Sequence, residues 1–245
     1  MSSIRLIRHA TLVLETALGR ILVDPMLRAA GTSPPIENTP NPVPNPLVEL
    51  PVPAEDVVRG IDLCIVTHLH GDHFDDAAGE LLPRDLPILT QPESADALRG
   101  RGFLDVRTEH DGIAMTRGRH GTGAVGEAMG AVSGWVVDGI YVAGDTVWCE
   151  EVETALAEHR PRATIVNAGG ARFLEGDPIV MTADDVVALT RHAPGAPVVA
   201  VHLDAINHCL ESRDDLRARL RAEGLEDRVT VPEDGEVAML ACTAP

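Results

Sequence analysis

The sequence predicts an α/β protein. Short aliphatic runs alternate with helix-favouring segments along almost the whole chain, as strands alternating with helices do. Residues able to bind a metal stand just after several of those runs, which suits a centre at one edge of a sheet sandwich. The core has to be aliphatic, because aromatic residues make up only 2% of the chain.

The elements follow in order. Ile4 to Ile7, Thr11 to Glu15 and Arg20 to Val23 read as three strands, with Ala17-Leu18-Gly19 turning the second into the third. Residues 26–53 are dense in Pro and Asn and exclude regular helix or central strand. Ile36, Val43, Leu47, Val48 and Leu50 within that segment predict that it packs on something, as a lid near a site or as a surface wrap. Asp62 to Thr67 is a buried strand. Ala77 to Leu82 is helix, with Asp75 and Asp76 at its N-cap. Pro87 to Thr90 is strand, Ser94 to Gly100 helix and Asp105 to Arg107 strand. Ile113 to Arg117, Ala131 to Val137 and Ile140 to Ala143 are strands, with a glycine-rich loop over residues 117–130. Glu150 to His159 is helix and Ala163 to Val166 strand. Thr182 to His192 is helix, its T-A-D-D start a capping arrangement. Pro197 to Val201 is strand, Arg213 to Glu223 helix, and Val229 to Val231 and Val237 to Leu240 strands.

Composition narrows the function. At 245 residues the chain can bury a substantial core, and it reads as a single domain, 1–245. A formal net charge of −18 repels a phosphate backbone, and six aromatic side chains offer little for base stacking, so no nucleic-acid partner is expected. There is no lysine, which removes Schiff-base and P-loop lysine chemistry. Cys64, Cys149, Cys209 and Cys242 are widely spaced and form no C-x-x-C, which suggests a reducing compartment and a cytoplasmic location. No run is long and apolar enough for a signal peptide or a membrane span, so no membrane partner is expected. Homo-oligomers are common among soluble enzymes, and assembly of this kind is a general expectation only.

The chemistry concentrates in T-H-L-H-G-D-H-F-D, residues 67–75. His68 and His70 are two apart in extended chain and can reach one point. Gly71 is expected to supply the freedom for the turn, beyond which Asp72 and His73 can aim at a second point. Imidazole and carboxylate suit borderline divalent metals. Alone, a histidine is usually a satisfied polar residue and Asp72 would be a helix cap; four such residues in six positions point to metal. His120, Asp145 and His202 each stand after an apolar strand and become candidates with the cluster. His9, at the first bend, and Arg172, in G-G-A-R-F, are candidate substrate contacts. His208 is a candidate proton donor or substrate contact, against the plain reading of a surface histidine.

The order His68, His70, Asp72, His73, then His120, Asp145 and His202 resembles the H-x-H-x-D-H signature and later ligands of the metallo-β-lactamase superfamily. The resemblance covers nearly the whole chain. R-H-A-T-L-V-L-E is similar to the G-H-A-T box of the branch containing L-ascorbate-6-phosphate lactonase and the N-acyl-phosphatidylethanolamine phospholipase, with Arg8 in place of the glycine. Asp24 matches the first acidic position, usually structural. This resemblance implies a four-layer αββα sandwich and a dinuclear centre. His68, His70 and His120 would hold one ion, Asp72, His73 and His202 the other, and Asp145 would bridge. The all-histidine pattern favours zinc, or manganese, over redox iron. The activity implied is hydrolysis of an ester-like bond (lactone, ester, thioester or phosphodiester) in a small molecule by water activated on metal, with Asp72 orienting it. The other readings are a non-hydrolytic metal-dependent step in a biosynthetic pathway and a nucleic-acid phosphodiesterase, the latter disfavoured by charge.

Overall fold

A computed structural model describes residues 2–240, and Cys242 lies outside that range. The strands are β1 (Ser2–Arg8), β2 (Thr11–Thr16), β3 (Gly19–Val23), β4 (Leu63–Val66), β5 (Ile88–Thr90), β6 (Val106–Arg107), β7 (Ile113–Arg117), β8 (Ser133–Val137), β9 (Ile140–Val142), β10 (Ala163–Asn167), β11 (Val198–Val201), β12 (Val229–Thr230) and β13 (Val237–Leu240). The helices are α1 (Ala54–Val58), α2 (Asp76–Leu81), α3 (Pro92–Gly100), α4 (Gly123–Met129), α5 (Glu150–His159), α6 (Ala183–His192) and α7 (Arg213–Glu223).

The strands form two sheets, ordered β13-β1-β2-β3-β4-β5-β6 and β12-β11-β10-β9-β8-β7. Their inner faces meet in one aliphatic layer, where Leu12, Leu14, Ile21 and Ile65 pack against Trp135, Val142, Ile165 and Val199. A second cluster holds α1, α2 and α3 on the outer face of the first sheet, through Val57, Ala78 and Leu98. A third holds α5, α6 and α7 on the outer face of the second, through Val152, Val186 and Leu216. The result is the four-layer αββα order. Burying strands on both faces explains why they read as continuous aliphatic runs rather than alternating ones.

Direction positions the site. β1 and β3 both run antiparallel to β2, and β4 runs parallel to β3. In the second sheet β7 and β9 both run antiparallel to β8, while β10 and β11 run parallel to β9. The strands that lead into His9, Asp24, His68, His120, Asp145 and His202 therefore run alike within each sheet and end at a common rim. In open α/β sheets that carboxyl rim is where ligands bind.

Two local expectations are corrected. The glycine-rich stretch is not all loop: residues 123–129 form α4, with Gly126 against the Gly121 carbonyl, where a Cβ would come within 2.6 Å. Three positive-φ glycines (Gly121, Gly123, Gly130) bracket the helix, which is what hid it in the sequence. Gly71 is not a left-handed turn residue, and a Cβ on it would meet nothing within 4 Å. The strained positions at this rim are His9, Asp24 and His202, with φ of 61°, 44° and 68°. No helix among the described residues is long and apolar enough to cross a membrane.

Candidate metal centre

The turn after β4 is pinned before it carries any ligand. Asp24 Oδ1 accepts the Thr67 amide at 2.8 Å, and Asp24 Oδ2 accepts the Thr67 hydroxyl at 2.8 Å. The His73 amide returns to the His70 carbonyl at 2.9 Å, closing the turn. Asp75 caps α2 through Ala78 N and also accepts the Leu27 and Arg28 amides, tying the turn to the chain after β3.

His68, His73, His120 and His202 each have a partner at the outer nitrogen, Nδ1. The Thr67 hydroxyl already donates to Asp24, so at 2.9 Å it accepts from His68 Nδ1–H. His73 Nδ1–H donates to Asp24 Oδ2 at 2.8 Å, and His120 Nδ1–H donates to the Ile179 carbonyl at 2.8 Å. His202 Nδ1 lies 3.4 Å from Cys209 Sγ. The oxygen partners fix the tautomers of His68, His73 and His120, and all four rings turn Nε2 toward the centre. His70 is turned the other way and presents Nδ1, at 2.9 Å from His68 Nε2 and 3.3 Å from His120 Nε2.

The inward atoms crowd together. Asp145 Oδ2 lies 3.1 Å from His73 Nε2, 3.6 Å from His120 Nε2 and 4.0 Å from His68 Nε2. Its Oδ1 lies 3.4 Å from His202 Nε2 and accepts from Asn167 Nδ2 at 2.6 Å. Asp72 Oδ2 lies 3.9 Å from His202 Nε2. Yet His73 Nε2 and His202 Nε2, both buried, are aligned for no hydrogen bond. Buried polar atoms are normally paired. Ring nitrogens and carboxylate oxygens gathered this closely, two of the nitrogens without a hydrogen bond, fit a cation in their midst. Three ligand groupings have the required spacing: His68 with His70 and His120; His68 with His73 and Asp145; and His9 with Asp72, His73 and His202. All are nitrogen and carboxylate donors, as a borderline divalent ion requires.

The charges agree with that use. Burial lowers the pKa of His68, His120 and His9, keeping their rings neutral. Burial opposes charge on His73 too, but Asp145, Asp24 and Asp72 outweigh it and hold the ring well above the usual imidazole range. For His202, burial is likewise outweighed, chiefly by Asp145, and its pKa rises to about 10. Burial pushes Asp72 and Asp145 up, but neighbouring imidazoles bring both well below the usual carboxylate range. Protons on His73 and His202 here stand where positive charge is wanted.

A cavity of about 470 Å³ opens onto this cluster. His70, Asp72, His120, Asp145 and His208 reach it, among apolar residues such as Ile36, Leu69 and Phe173. His208 is buried, not a surface residue; its Nδ1 has no partner, and burial lowers its pKa to about 4. His9 and Arg172 are not on the wall. His9 lies behind Asp72, with Nε2 at 3.3 Å from Oδ2 and its ring centroid 3.6 Å from that of His202. Arg172 is half-buried and donates its backbone amide to the His208 carbonyl at 3.1 Å. The arginines on the wall are Arg28 and Arg101, which nothing in the local sequence singles out.

Part of the wall comes from residues 26–53, including Met26, Pro34, Ile36 and Pro46. Two hubs hold this segment. Arg8, fully buried, donates to the carbonyls of Val48 at 2.9 Å, Met26 at 2.9 Å and Arg28 at 2.8 Å, so it grips both ends. Asn207, beside His208, donates to Ile36 O, Thr39 Oγ1 and Asn41 O, and accepts from Asn45 Nδ2 at 2.7 Å.

Comparison with known proteins places this geometry in context. Residues 19–203 match the model of the beta-lactamase superfamily domain. The chain is 37% identical to the UPF0173 protein YddR of Bacillus subtilis, over 94% of this chain and 96% of that one. It is 26% identical to a UPF0173 metal-dependent hydrolase of Methanocaldococcus jannaschii, over 79% and 89%. Among solved structures it resembles an isothiocyanate hydrolase from Delia radicum gut bacteria, with a TM-score of 0.90 and 35% identity over 97% and 98% of the two chains. A "possible metal-dependent hydrolase" from Veillonella parvula superposes with a TM-score of 0.92 at 35% identity, over 97% and 99%.

Proposed function

The chain belongs to the beta-lactamase superfamily and is a metal-dependent hydrolase, and from that premise we propose that it hydrolyses a small, partly apolar electrophile at a centre of two divalent ions. The observation that carries this reading is the set of seven inward-facing side chains whose nitrogens and carboxylate oxygens fall into overlapping groupings, the donor atoms of each within 4.8 Å of one another. His68, His70 and His120 would hold one ion, Asp72, His73 and His202 the other, with Asp145 between them. Zinc suits this donor set, with manganese the alternative. Two such ions would supply a water ionised near neutral pH and polarise the group under attack.

The chain's own residues do the rest. Asp72 stays ionised and accepts a hydrogen bond from the attacking water, orienting it and taking its proton. His9 steadies Asp72 from behind. His208, neutral at pH 7, offers the substrate a hydrogen bond from the cavity wall. The segment 26–53 closes one side of the cavity and acts as a fixed lid that keeps bulk water out. The bond cleaved is ester-like: lactone, ester, thioester or phosphodiester. A second reading, favoured by the likeness to the isothiocyanate hydrolase, is addition of water to the central carbon of an isothiocyanate, whose apolar substituent would suit the Ile36 and Phe173 side of the cavity. The substrate is a small molecule, since the net charge of −18 opposes a nucleic acid.

The test is a panel of esters, lactones, thioesters, phosphodiesters and isothiocyanates offered to protein of measured metal content. Turnover of at least one class should vanish with a chelator and return with zinc or manganese. A rate that survives complete metal removal refutes the reading.

A further inference from the structure

One part of the cavity wall carries charge that the metal cluster does not use. Arg28 follows β3; its guanidinium donates to Ser33 Oγ at 3.1 Å and pairs with the Asp76 carboxylate at 2.5 Å. Arg101, at the C-cap of α3, reaches the same carboxylate only at 3.9 Å and lies over the Phe74 ring, 5.4 Å from its centroid. All of these groups line the cavity that holds His70 and Asp72. Asp75 lines it too, but its two oxygens are taken by the amides of Leu27, Arg28 and Ala78. Two guanidinium groups thus share one carboxylate. Arg28 has the close contact, and Arg101 is left with a loose one.

The side chains of Arg101 and Asp76 are 40% and 70% exposed, so this is where the cavity meets solvent. Some arginines have a close carboxylate of their own, such as Arg119 with Glu151 at 2.8 Å and Arg213 with Asp234 at 2.5 Å, and others have none among the described residues; what sets Arg101 apart is that its loosely held guanidinium lines the cavity that reaches His70 and Asp72. An underpaired guanidinium presents a planar fork that matches a carboxylate with two parallel hydrogen bonds. On a surface with a net charge of −18, such a fork is a local site where an anion is not repelled.

We propose that Arg101, set against the Arg28–Asp76 pair, is an anion subsite that takes a carboxylate-class group carried by the substrate. This rests on the hydrolase reading above and adds to it: the substrate is an amphipathic small molecule with an apolar body and an anionic end. Asp76 is the internal competitor, occupying the arginines until the substrate displaces it from Arg101.

The experiment is calorimetric titration of the metal-loaded protein with 4-phenylbutyrate and with its neutral amide. The acid should bind about ten-fold more tightly than the amide, the size expected of a charge-assisted hydrogen bond. R101Q should abolish that preference. D76N, which frees both arginines, should widen it. Both positions are exposed, and melting curves check that the variants fold. Equal binding of acid and amide, binding of neither, or a preference that survives R101Q because the carboxylate sits on the metals would each overturn the subsite. Failure is distinguishable from failure of the hydrolase reading. Acid preference without turnover of any substrate in the panel sinks only the latter, and turnover without acid preference sinks only the subsite.

Discussion

Asp24 and His73 are joined by a 2.8 Å hydrogen bond, carboxylate to Nδ1, and neither side chain is open to solvent. The same carboxylate fixes Thr67, which in turn orients His68. One acid outside the inward-facing set therefore sets the direction of two rings within it. D24N keeps the size of the side chain but removes the charge that favours Nδ1–H on His73. Partners of this kind are worth about 10–100-fold in metal affinity. Competition with a chromophoric chelator should show a loss of that size, with the fold intact by circular dichroism. Unchanged affinity would mean that Asp24 is only a structural pin.

The two-ion assignment makes a stoichiometric prediction. H70A should lose one ion equivalent and H202A the other, each detected by elemental analysis after dialysis. Each ion would contribute several kcal/mol of charge stabilisation, so kcat should fall on the order of 10³-fold in either variant. D145A, which removes the group facing both sets, should lose both ions. Retention of two ions by H70A would show that the ligand sets are divided differently.

Much of this centre was legible because His68, Asp145 and His202 stand within three residues of strands buried on both faces, β4, β9 and β11. An aliphatic run such as Val198–Val201 ending in His202 is visible without any tertiary information. The caps were equally local: Thr182 and Asp185 form the expected capping box at α6. What stayed hidden depends on distant partners. Asn207 looks like any loop asparagine, yet its side chain bonds residues 162 to 171 positions away. Arg8, which stands where the resembling box has a glycine, is buried among carbonyls of a segment 18 to 40 residues away. His9 sits at the right rim but behind Asp72, because a φ of 61° turns the chain there. Arg101 belongs to a helix C-terminus, where arginine is ordinary.

Arg8 carries a stability prediction. R8M keeps apolar bulk and removes the donors to Met26, Arg28 and Val48. Leaving buried carbonyls unpaired costs about 1–3 kcal/mol each, less whatever water can restore. We expect a loss of roughly 3 kcal/mol in urea unfolding and new protease cleavage within residues 26–53. R8K keeps the charge but cannot span three carbonyls, and should fall between. A variant that unfolds at a lower urea concentration yet stays resistant in that segment would show that Arg8 serves the core rather than the lid.

His208 gives a pH signature. Its pKa is about 4 in the folded chain, against about 6.5 when unfolded, because burial disfavours its cation. The unfolded chain then binds the extra proton first. The stabilisation is fully present above pH 6.5 and is lost as pH falls toward 4. A shift of that size corresponds to roughly 3 kcal/mol at most across the window. H208Q has no proton to gain, so in chelator-treated protein its stability should fall less steeply than the wild type's between pH 6.5 and 4. His202 works in the opposite sense. Its raised pKa contributes stability below pH 6.5 that fades as pH rises toward about 10, so H202Q should flatten the alkaline limb instead. Urea midpoints measured every half pH unit on the two variants separate these limbs. Equal acid slopes for wild type and H208Q would place His208 in a wetter setting than the cavity wall described above.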